Sequence, residues 1–413
     1  MVIYKSEEDA NNKARKKKKG AVYMKKNLKI AEVDSKTRAA LKIAPVPATM
    51  GGDPEFFIAD KNGVILNSDR FFPSKHNPII IPKYNGQNLE TEKVVSKLYF
   101  DGIQAEIAPA FSSCRESLLN SISHVLTKAN WIIGAEHEIV LKPAVKVKKR
   151  IIQVADPEAR MFGCMPDYNA YTLSVNTPEM DASTHPFRYA GGHIHIGQSN
   201  PYLKSNHPEY KMVKEEDYHL RIIKLMDLLV SIPTLPLDNA PGSKQRRDKY
   251  GKAGCFRPTP YGVEYRTQSC WWLQSPITAS LVFALGRLAW NLIARGADES
   301  FLSNAVVDEE EISGTIDGSD VKNAKKIWAK IRPLIAWTSE CPNNPLHISS
   351  GFSARLSSLD GFKRNPMKLS DNEDVVSGLG IFEYMLKNGV KSVVKHDDVE
   401  QAWGLIPKEV SEL

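Results

Sequence analysis

The segment Gly51-Gly52-Asp53-Pro54-Glu55-Phe56-Phe57-Ile58, followed by Lys61-Asn62-Gly63 and Val64-Ile65-Leu66, reads as a strand, an Asn-Gly turn and a return strand. On an extended segment, residues two apart share a face, so Asp53 and Glu55 project together. Two like charges about 4 Å apart repel by roughly 4 kcal/mol at an effective dielectric near 20. Such a pair calls for a cation, a proton or water, and the flanking Gly-Gly and Phe-Phe argue against simple exposure.

The same alternation recurs three times downstream. In Asp101-Gly102-Ile103-Gln104-Ala105-Glu106-Ile107, Glu106 lies opposite the face of Ile103, Ala105 and Ile107. In Gly191-Gly192-His193-Ile194-His195-Ile196-Gly197, the two imidazoles share one face and the isoleucines the other. In Tyr261-Gly262-Val263-Glu264-Tyr265-Arg266-Thr267, Glu264 and Arg266 stand together. Upstream of that strand, Arg246, Arg247, Lys249, Lys252 and Arg257 form a dense set of donors suited to phosphate oxygens. Hard carboxylate oxygens suit magnesium, and neutral histidine is a common metal ligand. The four segments together hold the inventory for a divalent metal and a triphosphate. No GxxxxGK[ST] loop is present, so side chains and metal would have to hold the phosphates.

The other elements follow from pattern. Ser113 with Glu116 predicts a capped helix with Leu118, Ile122, Val125 and Ala129 inward. Strands are expected at Glu138–Leu141 and Ile151–Val154, and a helix at Glu215–Ile232 that stops before Pro233. Ser275-Pro276 opens a long helix that Gly296 ends, another helix runs around Val321–Ile331, and Ser370 with Glu373 caps a late one. Hairpins with interspersed helices and no βαβ beat predict an α+β fold with a curved, mostly antiparallel sheet flanked by helices.

Of 413 residues, 42% are hydrophobic and 25% charged, which allows a substantial core and no long disordered body. The expected division is a basic, partly disordered arm over 1–47, a catalytic core over 48–300, and a helical C-terminal region over 301–413 that packs on or completes the core. No uninterrupted apolar stretch spans a bilayer, since Arg287 and Asn291 break Ile277–Ala294, and no secretory signal opens the chain. Five scattered cysteines, Cys114, Cys164, Cys255, Cys270 and Cys341, are neither a zinc framework nor a disulfide set. The formal net charge of +7 is concentrated in the lysine-rich first thirty residues. Nucleic-acid binding through phosphate attraction is a minor reading there, without aromatic interleaving to support it.

The text of these segments resembles the glutamine synthetases, whose metal strands read Pro-Glu-Pro-Glu-Phe-Phe, Met-His-Val-His and Glu-x-Arg in the same order. With Tyr250-Gly251-Lys252-Ala253-Gly254 and Phe256-Arg257-Pro258, it is most similar to the phage-type carboxylate–amine ligases (amidoligases) of the glutamine synthetase and glutamate–cysteine ligase superfamily, over roughly residues 50 to 275. The resemblance implies a glutamine synthetase-like catalytic domain, an ATP-dependent ligase forming an amide through an acyl phosphate, and magnesium, two ions or manganese in their place. By position, Asp53, His193 and Glu264 would hold one metal, and Glu55 and Glu106 the second. His195 would touch the γ-phosphate, and Arg266 the phosphoryl group in flight, with Arg257 and Arg247 beside it. Arg246 and Lys252 would bind nucleotide, and Asp238, on a lid over Asp238–Lys252, would receive the amine. The relatives place a further acid before Glu106. Val94–Phe100 offers none, so Asp101 or Asp167 would take its place. Small-molecule or peptide acids and amines are the implied partners, with no membrane, and a homo-oligomer is left open. The implied compartment is the cytoplasm, or that of the host if the chain is phage-encoded. The rival readings are a guanidino-kinase-like phosphotransferase, a metal-dependent hydrolase, and a non-enzymatic nucleic-acid-associated phage protein.

Overall fold

A computed structural model of the chain describes residues 48–82, 94–161, 167–176, 182, 184–199, 208–339, 378–394 and 398–405. The basic arm, the Phe162–Pro166 segment before Asp167, and the Ser370–Glu373 cap lie outside these residues. Among the described residues, thirteen strands occur in this order: β1 Thr49–Asp60, β2 Ile65–Leu66, β3 Ile79–Pro82, β4 Val95–Asp101, β5 Gln104–Ala108, β6 His137–Val140, β7 Ala144–Lys146, β8 Asp167–Asn169, β9 Val175–Asn176, β10 Phe187–Tyr189, β11 Gly192–Gly197, β12 Cys255–Thr259 and β13 Gly262–Tyr265. Eleven form one sheet in the order β3-β4-β5-β1-β11-β13-β12-β8-β9, with β2 and β6 on the far half of β1. All strand pairings within it are antiparallel. The expected α+β architecture is met: a large antiparallel sheet with flanking helices.

β1 organises the sheet. Its first half pairs with β11, its middle with β5 and its end with β6 and β2. The Asn-Gly turn forms as read: Asp60 accepts from the backbone of Asn62 and Val64, each at 2.9 Å, and Gly63 takes a positive φ of 73°. One sheet face carries Met50, Ile194, Ile196, Val263 and Tyr265 into the main core, alongside residues of helices Arg115–Ile133, Glu216–Met226 and Pro276–Ala294. The opposite face carries the polar residues singled out in the sequence. A smaller cluster of Phe57, Ile103, Val145, Ile152 and Cys270 closes one end of that face.

Helix Pro276–Ala294 starts with a Ser275–Thr278 capping box and gives way at Gly296, where φ is 60°. By length and composition it could cross a membrane, but 89% of its apolar window is buried inside the protein, so it serves as a core helix. Residues Phe301, Ile312, Ile331, Phe382 and Trp403 join the same core, and the Trp403 indole donates to the Leu273 carbonyl at 2.7 Å.

Four expectations fail locally. The run Asp101–Ile107, read as one extended segment, turns at Gly102, where φ is 71°, and divides between β4 and β5. Ile151–Val154 lies in the short helix Lys149–Val154, where Ile152 alone is buried, and not in a strand. A four-residue apolar run carries no period that separates the two. Cys114, not Ser113, caps helix Arg115–Ile133, and makes no side-chain cap bond. Helix Glu216–Met226 does not stop before Pro233. It passes through a π-helical turn, Asp227–Ser231, into Ile232–Thr234. Pro233 is tolerated there because a widened turn frees backbone groups ahead of it.

Candidate active site

Strand register alone assembles the site. Asp53 on β1 is paired with His193 on β11, and His195 with Glu264 on β13, which in turn faces Arg257 on β12. One step along β1, Glu55 pairs with Glu106 on β5, and Glu106 with Tyr99 on β4. Because side chains alternate with a period of two, every one of these groups lands on the same face. The segments lie far apart in sequence and adjacent in the sheet.

The glycines before the histidines are there for close approach. A Cβ on Gly191 would stand 2.5 Å from His193 Nε2, and one on Gly192 would stand 2.3 Å from the Ser269 carbonyl oxygen. The bare backbone of Gly191 also lets its N–H donate to Glu55 Oε2.

Asp53 sits between the two imidazoles. Its Oδ1 is 3.0 Å from His193 Nδ1, and its Oδ2 is 3.2 Å from His195 Nε2. His193 Nδ1 also lies 3.4 Å from Glu264 Oε1. Three of these buried atoms, Asp53 Oδ1, His193 Nδ1 and His195 Nε2, make no aligned hydrogen bond although they crowd one another. Ligand atoms that converge without pointing at each other suit a shared cation. Asp53, His195 and Glu264 place one ligand atom each within 4.8 Å of one another, and so do Glu55, Asp101 and Glu106. The donor sets fit divalent metal: nitrogen and carboxylate oxygen in the first, oxygen alone in the second.

The electrostatics agree. Burial would raise the Asp53 carboxyl, but the imidazoles of His195 and His193 outweigh it and hold it well below the usual range. Burial and the Arg266 guanidinium push His193 down to about 4, against the pull of Asp53. Burial also works to lower His195, yet Asp53 lifts it above its ordinary value. In the carboxylate trio, burial and then Asp101 push Glu55 up to about 8. Burial and the charges of Asp53, Asp101 and Glu55 raise Glu106 well above the carboxylate range. Like charges placed directly opposite are unfavourable unless a proton or cation intervenes.

Arginines border the first group. Buried Arg266 donates to Glu264 Oε1 and, at 3.2 Å, to the Tyr250 hydroxyl, while its Nε lies 3.5 Å from Asp167. Arg257, one-third exposed, donates to Glu264 Oε2 at 2.7 Å. Glu264 is therefore clamped on both oxygens. Of the two acids offered for the place before Glu106, Asp101 joins the carboxylate trio and Asp167 stands against Arg266.

Of the remaining candidates, Arg246 borders the site, its guanidinium 4.5 Å from the centre of the Tyr250 ring and its charge acting on Glu55, while Arg247, Asp238 and Lys252 bond away from the site's carboxylates. Arg246 is buried and donates to the carbonyls of Thr267 at 3.0 Å and Arg266 at 3.2 Å, which ties down the strand end. Arg247 donates to the Asp238 carbonyl at 2.8 Å, and its guanidinium lies 3.3 Å from the Asp238 carboxylate. Asp238 also accepts from the hydroxyls of Ser243 at 3.0 Å and Ser269 at 2.7 Å. The pair anchors the Asp238–Lys252 segment, whose helix Ser243–Lys249 buries Ser243, Arg246 and Arg247 and exposes Lys244, Asp248 and Lys249. Exposed Lys252 lies near Asp317, whose carboxyl burial raises, with the lysine offsetting part of that rise.

Three tyrosines complete the site and were not assigned from the sequence. Tyr99 donates to Glu106 Oε1. The Tyr250 hydroxyl is bonded to His193 Nε2, and the Tyr261 hydroxyl lies 2.7 Å from His195 Nδ1. For Tyr99 a signal existed, since it shares a strand face with Asp101; Tyr250 and Tyr261 lie in turns where no period applies.

Among solved structures, a bifunctional glutathione synthetase from Pasteurella multocida is similar at 11% identity with a TM-score of 0.37, covering 87% of this chain and 54% of that one. The chain thus spans about half the length of that protein. A novel glutamine synthase homolog is similar at 12% identity with a TM-score of 0.28, covering 76% of this chain and 72% of its own. No curated protein matches at the sequence level. The resemblance read from the motifs is met over the stretch that holds β11, β12 and β13: residues 176–310 match the family model of the phage phiEco32-like COOH.NH2 ligases, type 2.

Proposed function

We propose that this chain is an ATP-dependent, magnesium-requiring carboxylate–amine ligase that forms an amide through an acyl phosphate. The observation that carries the reading is the pair of ligand groups, Asp53–His195–Glu264 and Glu55–Asp101–Glu106, set two residues apart along β1 on one face and bordered by Arg266 and Arg257. The match of residues 176–310 to a ligase family supports the reaction class.

The chemistry explains why such a site is needed. A carboxylate is a poor acyl donor, because its leaving group would be an oxide. Transfer of the γ-phosphoryl group of ATP to the carboxylate oxygen gives ADP and an acyl phosphate, a reaction that depends on positioning and charge stabilisation. The amine nitrogen then attacks the acyl carbon, the C–O bond to phosphate breaks, and the nitrogen gives up a proton. Magnesium, when bound, supplies Lewis-acid neutralisation of phosphate oxygens. The protein's own part is in the fixed groups. Asp53, Glu264 and the two histidines would hold the first cation, and Glu55, Asp101 and Glu106 the second. Arg266 keeps its charge in a buried setting, and half-open Arg257 can meet an incoming phosphate.

Incubation with ATP, magnesium and pooled acids and amines, followed by mass spectrometry, tests the proposal. A product equal to acid plus amine less water supports it. A phosphorylated amine or guanidine without condensation would replace it with simple phosphoryl transfer, and hydrolysis without ATP would replace it with a hydrolase.

A further inference from the structure

The two histidines of β11 are each held by a tyrosine on the side away from the carboxylates. His193 turns Nδ1 toward Asp53 and Glu264, at 3.0 and 3.4 Å, and Nε2 toward the hydroxyl of Tyr250. His195 is reversed: Nε2 faces Asp53 at 3.2 Å and Nδ1 meets the hydroxyl of Tyr261 at 2.7 Å. The rings pack differently too. Tyr250 stands edge-on to His193 at 87°, whereas Tyr261 lies nearly parallel to His195 at 18°. Tyr250 comes from the turn before β12, and Tyr261 from the turn joining β12 to β13. Two unrelated turns thus deliver the same group to the same kind of atom.

We infer that Tyr250 and Tyr261 are positioning residues that set the tautomers of His193 and His195, so that both inner nitrogens present lone pairs to a divalent cation beside Asp53. The chemistry is that of the hydroxyl, which can donate or accept. When the inner nitrogen carries the proton, that N–H faces Asp53 and the tyrosine donates to the bare outer nitrogen. When a cation takes the inner position, the proton must sit on the outer nitrogen, and the tyrosine accepts it without either ring turning. A backbone carbonyl would serve only one of these states. Partners of this kind on the far nitrogen of a metal-bound histidine fix its orientation and raise its basicity. The inference rests on the ligase reading only in needing a cation at this place.

The test is manganese binding followed by electron paramagnetic resonance, on the full chain, for wild type, Tyr261→Phe, Tyr250→Phe, His195→Ala, His193→Ala and the two matched double variants. Phenylalanine keeps each ring and its packing. Melting without metal reports any general loss of fold, and partly exposed Tyr261 gives the pair whose fold is least at risk. Expected are affinities for manganese lowered about 10- to 100-fold in each phenylalanine variant. In each double variant the loss should be no greater than in the histidine variant alone, because the tyrosine acts through its histidine. Wild-type affinity in Tyr261→Phe, or losses that simply add, overturns the inference and leaves the ligase reading standing. Failure of the wild-type protein to bind manganese at all overturns both.

Discussion

Glu264 shows what can be decided at a single residue. It is buried, clamped by Arg266 on one oxygen and Arg257 on the other, and lies within reach of His193. Burial and Asp53 work to raise its carboxyl, and Arg266 with the two histidines brings it below the ordinary value. Glu264→Gln leaves two guanidiniums short of a counter-charge and removes a ligand. The expected outcome is an ATP turnover lower by about 100-fold or more with the fold intact, measured by ADP release and by circular dichroism. An unchanged rate would take Glu264 out of the site. His193→Ala should shift the magnesium dependence of turnover to higher concentration, and an unchanged magnesium titration would count against its place among the ligands. These residues were legible because strand alternation sorts side chains by face. What alternation cannot show is which residue of the neighbouring strand stands opposite. Both Asp53–His193 and Glu55–Glu106 needed the register. The roles given to Arg247 and Asp238 came from the resemblance, and in the structure the two bond to each other and to Ser319, Ser243 and Ser269.

Elements place the site, and they were read with uneven success. β1, β11 and β13 emerge near their expected bounds, whereas the alternation read through Asp101–Ile107 breaks at a hairpin turn, with Asp101 of β4 paired to Gln104 of β5. Gly192 tests how tightly β11 is set. Its Cβ would meet Ser269 O at 2.3 Å and the Trp272 indole nitrogen at 2.4 Å, and the indole already donates to the Gly192 carbonyl at 2.9 Å. Gly192→Ala should lower stability by roughly 1–3 kcal/mol as an overpacked position, read from urea unfolding; a wild-type midpoint would show that β11 can shift. At helix Pro276–Ala294, where the sequence signal was complete, Ser275→Ala removes the cap bond to Thr278 and should cost about 1 kcal/mol. No change in the unfolding midpoint would mean that the packed helix holds without its cap. Where the signal was short, as at Ile151–Val154, or where a proline met a π-helical turn, as at Pro233, tertiary packing decided the outcome.

At the scale of the whole molecule, one buried carboxyl joins sheet, helices and loops. Asp227, in the π-helical turn, accepts from the Tyr265 hydroxyl and from the Gly254 N–H at 2.6 Å. Burial lifts it from 3.8 to about 7, only partly offset by those two bonds. The folded state therefore keeps a proton that the unfolded state gives up first. Between about pH 4 and pH 7 the unfolded chain binds fewer protons, so this group makes stability fall as pH rises, by on the order of a few kcal/mol across that range. Asp227→Asn should be less stable than wild type at pH 5 and recover ground by pH 8, measured by urea unfolding at both. A constant difference would show that Asp227 titrates normally. Nothing in the period of helix Glu216–Met226 marks this residue, because its partners come from β13 and the loop before β12.

The central claim is that one sheet face gathers ligands from distant segments into two adjoining cation positions. Anomalous diffraction from crystals grown with manganese and a non-hydrolysable ATP analogue tests it most directly. The account predicts two peaks, one touching Asp53, His193, His195 and Glu264 and the other touching Glu55, Asp101 and Glu106, with the phosphates toward Arg257 and Arg266. Manganese and nucleotide bound on another surface, with this face holding neither, would contradict it.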